Sequence, residues 1–275
     1  MAAMRPCVLV MPLYIYPLTS TTWQPLYDAI AANPSLDFLI IVNPNSGPGT
    51  EPLPGGDYIR EVPRLNAFPN VRTVGYIAVD YCRKPLDKVC DEISTYANWS
   101  RQYGDQIEGL YVEGIFVDET HNHFDDARMR YLERLKCFVK DEVEGLRGDR
   151  LVIHNPGTPP EYTRNGARPL AQFGTPDAVC VSEVPYGTFV TDDVQTRLQT
   201  YRLPYACNMF QISGIPLDRV GATVTDLCKR GRYVFATDLQ ENFYESFGPS
   251  WDVFVNAVAA AARGKNEGDQ LAAKE

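Results

Sequence analysis

The run Glu113-Gly-Ile-Phe-Val-Asp-Glu-Thr120 decides what kind of sheet this chain builds. Three apolar residues, Ile115, Phe116 and Val117, lead straight into two adjacent carboxylates, Asp118 and Glu119. A strand covered on both faces reads as an unbroken apolar run, and an acidic pair inside it is expensive unless solvated, paired or used. The pair therefore belongs at the end of a buried strand. Three other runs close the same way: Val74-Gly-Tyr-Ile-Ala-Val-Asp80, Val179-Cys-Val-Ser-Glu183 and Tyr233-Val-Phe-Ala-Thr-Asp238. If these strands are parallel, their carboxylates gather at one mouth.

Working outward, apolar runs at 7–17 and 37–43 add two strands, and shorter ones at 150–157 and 205–211 two more. Helices are expected over 23–32, 57–66, 85–99, 125–145, 192–200, 217–230 and 251–263, from caps, turn residues and three- and four-residue apolar spacing such as Leu86, Val89, Ile93 and Tyr96. Strand followed by helix, recurring about eight times over roughly 250 residues, predicts an α/β protein built as a single (β/α)8 TIM-type barrel. The barrel is expected over 1–264, with a polar, frayed tail over 265–275. An open doubly wound sheet would want a glycine-rich phosphate loop after an early strand, and neither GxGxxG nor GxxxxGK[ST] occurs.

Composition narrows the function. The chain has 275 residues, 44% hydrophobic and 22% charged, with a net charge of -9. No basic stripe is available for nucleic acid, and no run reaches transmembrane length. The opening Met1-Ala-Ala-Met-Arg-Pro6 does not read as a leader, so the chain is expected to be soluble, and either cytosolic or trimmed. Seven cysteines without a CxxC, and no histidine at ligand spacing, disfavour zinc. Cys7, Cys180 and Cys207 read as buried; Cys82 and Cys90 flank a helix start and could pair.

In such a barrel the active site forms at the C-terminal ends of the strands. The residues closing each run are therefore the candidates: Tyr14 and Tyr16; Asn43 and Asn45; Asp80 and Tyr81; Asp118 and Glu119; His154 and Asn155; Glu183 and Tyr186; Gln211; Asp238. Strand alternation puts Asp118 on the face of Phe116, towards the axis, and groups Asp80 with Tyr76 and Ala78, and Glu183 with Val179 and Val181. Glu119 can turn over the mouth only if the strand has ended. Carboxylates among aromatic rings, without a nucleophile elbow, suit glycoside hydrolysis: one acid protonates the leaving oxygen while another carboxylate acts as nucleophile or base. A Mg²⁺-dependent lyase could use similar acids, whereas an aldolase would want a strand-end lysine. His121 and His123 form an HxH, read as substrate contacts or helix capping rather than a metal site. No metal or cofactor is expected.

Five stretches carry a further signal: Pro12-Leu-Tyr-Ile-Tyr-Pro17, Ile40-Ile-Val-Asn-Pro-Asn-Ser-Gly-Pro-Gly49, Gly75-Tyr-Ile-Ala-Val-Asp-Tyr81, Gly114-Ile-Phe-Val-Asp-Glu119 and His154-Asn-Pro-Gly157. With them the chain resembles, over 8–258, the spherulin-4-like family, which includes fungal glycoside hydrolases acting on galactosaminogalactan. The resemblance implies a (β/α)8 barrel and endo-hydrolysis of an α-1,4-linked polymer of galactose and N-acetylgalactosamine. It carries the family's acidic site onto Asp118 and Glu119, with Glu183 the best match for a further acid. Asp118 is then expected as nucleophile or transition-state stabiliser, and Glu119 or Glu183 as proton donor. Tyr14, Tyr16, Asn43, Asp80, Tyr81, His154, Asn155 and Asp238 are expected to contact the polysaccharide. Members are typically secreted or membrane-tethered, which implies an extracellular or cell-surface place. A non-catalytic carbohydrate-binding barrel is the alternative.

Overall fold

The computed structural model describes residues 6–123, 125–160, 176–201 and 204–272. Eight strands, β1 (Val8–Leu13), β2 (Asp37–Val42), β3 (Val71–Ala78), β4 (Gly114–Asp118), β5 (Leu151–His154), β6 (Ala178–Pro185), β7 (Asn208–Ser213) and β8 (Tyr233–Ala236), close in sequence order into a barrel. Every neighbouring pair is parallel, including β8 with β1. Helices α1 (Gln24–Ala32), α2 (Gly56–Asn66), α3 (Leu86–Tyr103), α4 (Asp126–Cys137), α5 (Tyr186–Phe189), α6 (Asp192–Thr200), α7 (Val220–Arg230) and α8 (Trp251–Ala272) fill the connections. Most of the connection from β5 to β6, residues 161–175, lies outside the described residues. No helix among the described residues is long and apolar enough to cross a membrane.

The apolar runs explain the closure. In β2, Phe38 to Val42 are all buried, because one face meets the barrel interior and the other the helices. The helix layer lies close where a side chain is missing. A Cβ on Gly75 would fall 2.8 Å from the Tyr96 ring, so glycine lets α3 settle onto β3. Tyr96 then donates its hydroxyl to the carbonyls of Tyr76 and Val42, at 3.0 and 3.2 Å. A fully buried tyrosine thereby satisfies its one polar atom.

Several expected boundaries move. The strand expected to reach Asp80 stops at Ala78; Asp80, Tyr81 and Cys82 come next with φ of 47, 52 and 64°, three successive left-handed residues. Regular alternation past Ala78 is lost, so Asp80 does not share the inward face of Tyr76. The helix after β4 gives way at Phe138 to one wide turn, Phe138–Glu142, which keeps Val139 buried. The closing helix, expected to end at 263, runs past Gly264 to Ala272. No disulfide joins Cys82 to Cys90, and Cys207 is half-buried rather than buried.

Candidate active site

Register partners in a parallel ladder point to the same side. Tyr76 is level with Phe116 and Phe116 with Ile153, so these three share the interior, and Asp118 and Asn155 lie two residues on, at the mouth. Asp118 is held from three directions. Its Oδ2 accepts from the Tyr76 hydroxyl at 2.8 Å, and its Oδ1 accepts from Asn155 Nδ2 and from the Glu119 backbone N–H, both at 2.8 Å. All three partners donate, so the carboxylate serves only as an acceptor.

The strand ends at Asp118, and Glu119 takes a left-handed φ of 54°. Such backbone is costly for a residue with a side chain and is found where the surroundings over-determine it. Here the Glu119 carbonyl accepts from the Tyr81 N–H at 2.8 Å, tying the left-handed turn after β3 to the end of β4. The Glu119 carboxylate is half-buried and makes no hydrogen bond or ion pair among the described residues.

Glu183 reaches the mouth by a break in alternation. Ala178 is level with inward Ile153, so Val179 faces the helices and Cys180 the interior. Unbroken alternation would send Glu183 outward. The ladder to β7 instead slips between Cys180 and Ser182, leaving Val181 without a partner, and restarts with Glu183 level with Gln211. A bulge re-aims the side chains beyond it. The expected grouping of Glu183 with Val179 and Val181 is thus corrected: Glu183 is inward because Val181 is the extra residue.

Once inside, Glu183 accepts from Asn155 Nδ2 at 2.5 Å and from the Tyr244 hydroxyl at 2.5 Å. The Asn155 amide nitrogen therefore donates one hydrogen to each acid, which holds their oxygens within about 5 Å of one another. Its carbonyl oxygen accepts from the Gly157 N–H at 3.0 Å, so every polar atom of this buried side chain is committed. Gly157 has a φ of 66°, the left-handed turn that brings its amide back. Burial pushes the Glu183 carboxyl up, the Tyr244 and Asn155 donors pull it down, and Asp118 pushes it up again, with burial prevailing. Burial likewise raises the hydroxyls of Tyr14, Tyr76 and Tyr244, so all three keep their hydrogens at working pH.

The remaining candidates divide. Tyr14 joins the cluster, its ring edge-on to Tyr76 at 5.5 Å and Tyr244 at 5.1 Å. Tyr81 is half-exposed on the rim, its ring 6.1 Å from that of His121 and 5.7 Å from the Arg83 guanidinium. His121 Nδ1 accepts from the His123 N–H at 3.0 Å beside it. Tyr16 turns away and donates to Asp57 at 3.0 Å. Asn43 closes its own loop, accepting from the Gly47 N–H at 2.9 Å. Asp80 pairs with Arg83 at 2.5 Å, and Asp238 accepts from the Ser250 N–H at 3.1 Å, at the start of α8. His154 is level with outward Val117 and lies buried beneath the helices, its Nε2 without a partner. The side chains of Tyr16, Asn43, Asp80, Asp238 and His154 are thus not brought to the acids.

Tyr244 is absent from the strand-end candidates. It lies on the loop between β8 and α8, in Glu241-Asn-Phe-Tyr-Glu-Ser-Phe-Gly248, where no strand end marks it. The one signal in the sequence is the density of aromatic residues in a loop, and here that loop folds back over the axis. Among the described residues no group of three or more His, Cys, Asp or Glu side chains is gathered as a metal cluster.

A closed parallel eight-stranded barrel with bridged carboxylates at its C-terminal mouth defines the class. Within that class, the chain belongs to the spherulation-specific family 4, whose sequence profile matches residues 8–258. Spherulin-4 of Physarum polycephalum is 31% identical over 157 residues, 57% of this chain and 41% of that protein, so the chain spans about two fifths of that relative's length. The crystal structure of Aspergillus clavatus Sph3 in complex with GalNAc is 34% identical and superposes with a TM-score of 0.82, covering 93% of this chain and 98% of that one. A chitinase from Bacteroides thetaiotaomicron, at 12% identity and a TM-score of 0.54 over 94% of this chain and 96% of its own, shares the fold.

Proposed function

We propose that this chain is an endo-acting glycoside hydrolase cleaving an α-1,4-linked polysaccharide that contains galactosamine and N-acetylgalactosamine. The observation that carries the reading is the Asn155 amide, which bridges Asp118 and Glu183. Retaining glycosidases hold their two carboxyl groups about 5–5.5 Å apart, and inverting ones about 6.5–9.5 Å. Two oxygens bonded to one amide nitrogen at 2.8 and 2.5 Å lie no more than about 5 Å apart, which supports the closer arrangement. Asp118, oriented by three donors, attacks the anomeric carbon; Glu183, raised by burial, gives its proton to the leaving oxygen and later accepts one from water. Glu119, with an uncommitted carboxylate on the rim, meets a hydroxyl or amino group of the sugar.

The substrate class rests on family membership and on Sph3, a relative 34% identical and crystallised with GalNAc. Tyr14 and Tyr81 offer ring faces and edges for sugar, Tyr14 inside the mouth and Tyr81 on its rim. In this reading Tyr16, Asn43, Asp80 and Asp238 support the scaffold through the side-chain contacts they make to it, and His154 by packing away from the acids.

The test is release of reducing ends from purified galactosaminogalactan by the wild type, Asp118→Asn, Glu183→Gln and Glu119→Gln. Loss of about 10²-fold or more in the first two variants is expected, and a smaller loss in the third. Binding without cleavage by the wild type would favour a non-catalytic carbohydrate-binding barrel.

A further inference from the structure

Both oxygens of Glu183 already accept hydrogen bonds, yet a proton donor must spend part of each cycle carrying a hydrogen. That hydrogen needs an acceptor, or the buried protonated form is left unsatisfied. Of the two neighbours, Asn155 offers Glu183 only its amide nitrogen, which donates, while its carbonyl oxygen is taken by Gly157. The Tyr244 hydroxyl can donate and accept. A second acceptor for its own hydrogen, Gln211 Oε1, lies 3.4 Å away. Gln211 is buried on β7 and oriented by Cys180, whose sulfur accepts from Gln211 Nε2 at 3.3 Å. The Cys180 thiol faces the Ser182 carbonyl at 3.6 Å, leaving its lone pairs for that amide.

We infer that Tyr244 and Gln211 form a two-position hydrogen-bond relay that satisfies Glu183 in each of its protonation states. With Glu183 ionised, the Tyr244 O–H donates to Glu183 Oε1. With Glu183 protonated, its O–H donates to the Tyr244 oxygen, and the Tyr244 hydrogen turns to Gln211 Oε1. When substrate binds, the glycosidic oxygen replaces Tyr244 as acceptor. The proton passes from Glu183 to that oxygen as the C1–O bond breaks, the bonding pair leaving with the oxygen. Tyr244 then swings its hydrogen back to the newly charged carboxylate. The hydroxyl O–H of Tyr244 is never broken and nothing is oxidised, so Tyr244 and Gln211 are positioning residues.

The role rests on the reading of Glu183 as proton donor. The titratable groups facing Glu183 are Asp118 on β4, Tyr14 beyond β1, Tyr76 on β3, Cys180 on its own strand and Tyr244. Burial raises the three tyrosines and the cysteine, so these four keep their hydrogens at working pH.

The experiment uses the full chain as wild type, Tyr244→Phe, Gln211→Met and the double variant. Two readouts are taken: the pH profile of kcat/KM on the polymer, and the ¹³C NMR titration of the Glu183 carboxyl without substrate, assigned by its absence in Glu183→Gln. Tyr244→Phe removes both the donor to the charged form and the acceptor of the protonated form; the charge-assisted bond is the stronger, so the titration and the basic limb move to higher pH, with kcat lower on the order of tenfold. Gln211→Met removes the acceptor used in the protonated form, so both move to lower pH. In the double variant no hydroxyl remains for Gln211 to receive, and the titration matches Tyr244→Phe alone. Gln211→Leu serves if Gln211→Met does not fold. Shifts of the same sign, or a double variant equal to the sum of the singles, overturn the relay. Opposite shifts in a wild type that cleaves nothing would uphold the relay and remove the hydrolase reading.

Discussion

Glu183 and Asp118 lie on either side of one amide group, yet their surroundings set them different tasks. Asp118 receives two side-chain hydrogens and one backbone hydrogen, and Glu183 receives two side-chain hydrogens. The Glu183 carboxyl is raised above its ordinary range, so the folded state holds its proton more tightly than the unfolded chain. Its contribution to stability is therefore full at low pH and is lost as pH rises through the folded value. Glu183→Gln mimics the protonated acid, with its carbonyl towards Asn155 and its amide nitrogen towards Tyr244. The variant is expected to melt higher than the wild type at neutral pH, on the order of a few degrees, the gap closing as pH falls below the ordinary glutamate range. Scanning calorimetry across that range checks it; a gap of opposite sign at neutral pH would contradict the assignment.

The elements decide which side chains reach the mouth, and two strands make the case. In β6 the unpartnered Val181 turns Glu183 inward. Deleting Val181 restores regular pairing, with Ser182 following Cys180 and Glu183 still level with inward Gln211. Cleavage is expected to stay within about tenfold of the wild type with the circular dichroism spectrum of the barrel retained, and a loss of about 10²-fold or more would contradict this register. In β5 the adjacent pair splits, Asn155 to the mouth and His154 to the helix layer, where burial and the charge of Lys136 lower its imidazole to about 3. A histidine so lowered stabilises the fold above its ordinary range near 6.5, and that stability is lost as pH falls from there through about 3. His154→Leu is expected to flatten the fall in melting temperature over that window; an unchanged slope would contradict it. These strands also mark what the sequence can tell. Apolar runs betray buried parallel strands, so all eight are legible, and Asp118 with Glu119 stands out as charge beside a core. The parity of a strand past a bulge leaves no mark in composition, so Glu183 is found at the right strand end and for the wrong face. Asp80 is misplaced because three consecutive left-handed residues without glycine are rare enough that no local pattern announces them. Tyr244 comes from a loop whose path depends on what it lands on.

At the scale of the molecule, closure of eight parallel strands aims every C-terminal end one way, and that shared direction brings residues 118, 155, 183 and 244 together from distant parts of the chain. The net charge of -9 adds a field around the mouth. A polymer carrying deacetylated, cationic galactosamine would be drawn in, and its cleavage is expected to weaken as salt rises from about 0.05 to 0.5 M, while fully acetylated polymer responds little. Equal salt response for both polymers would argue against steering. The centre of the account is that Asp118 and Glu183, spaced by Asn155, act as nucleophile and proton donor on one glycosidic bond. Its most direct test is a ¹H NMR time course of galactosaminogalactan digestion by the wild type, recorded before mutarotation. The account predicts new reducing ends that appear first as the α anomer, the configuration of the linkage cleaved. New ends appearing first as the β anomer, or no new ends at all, would contradict it.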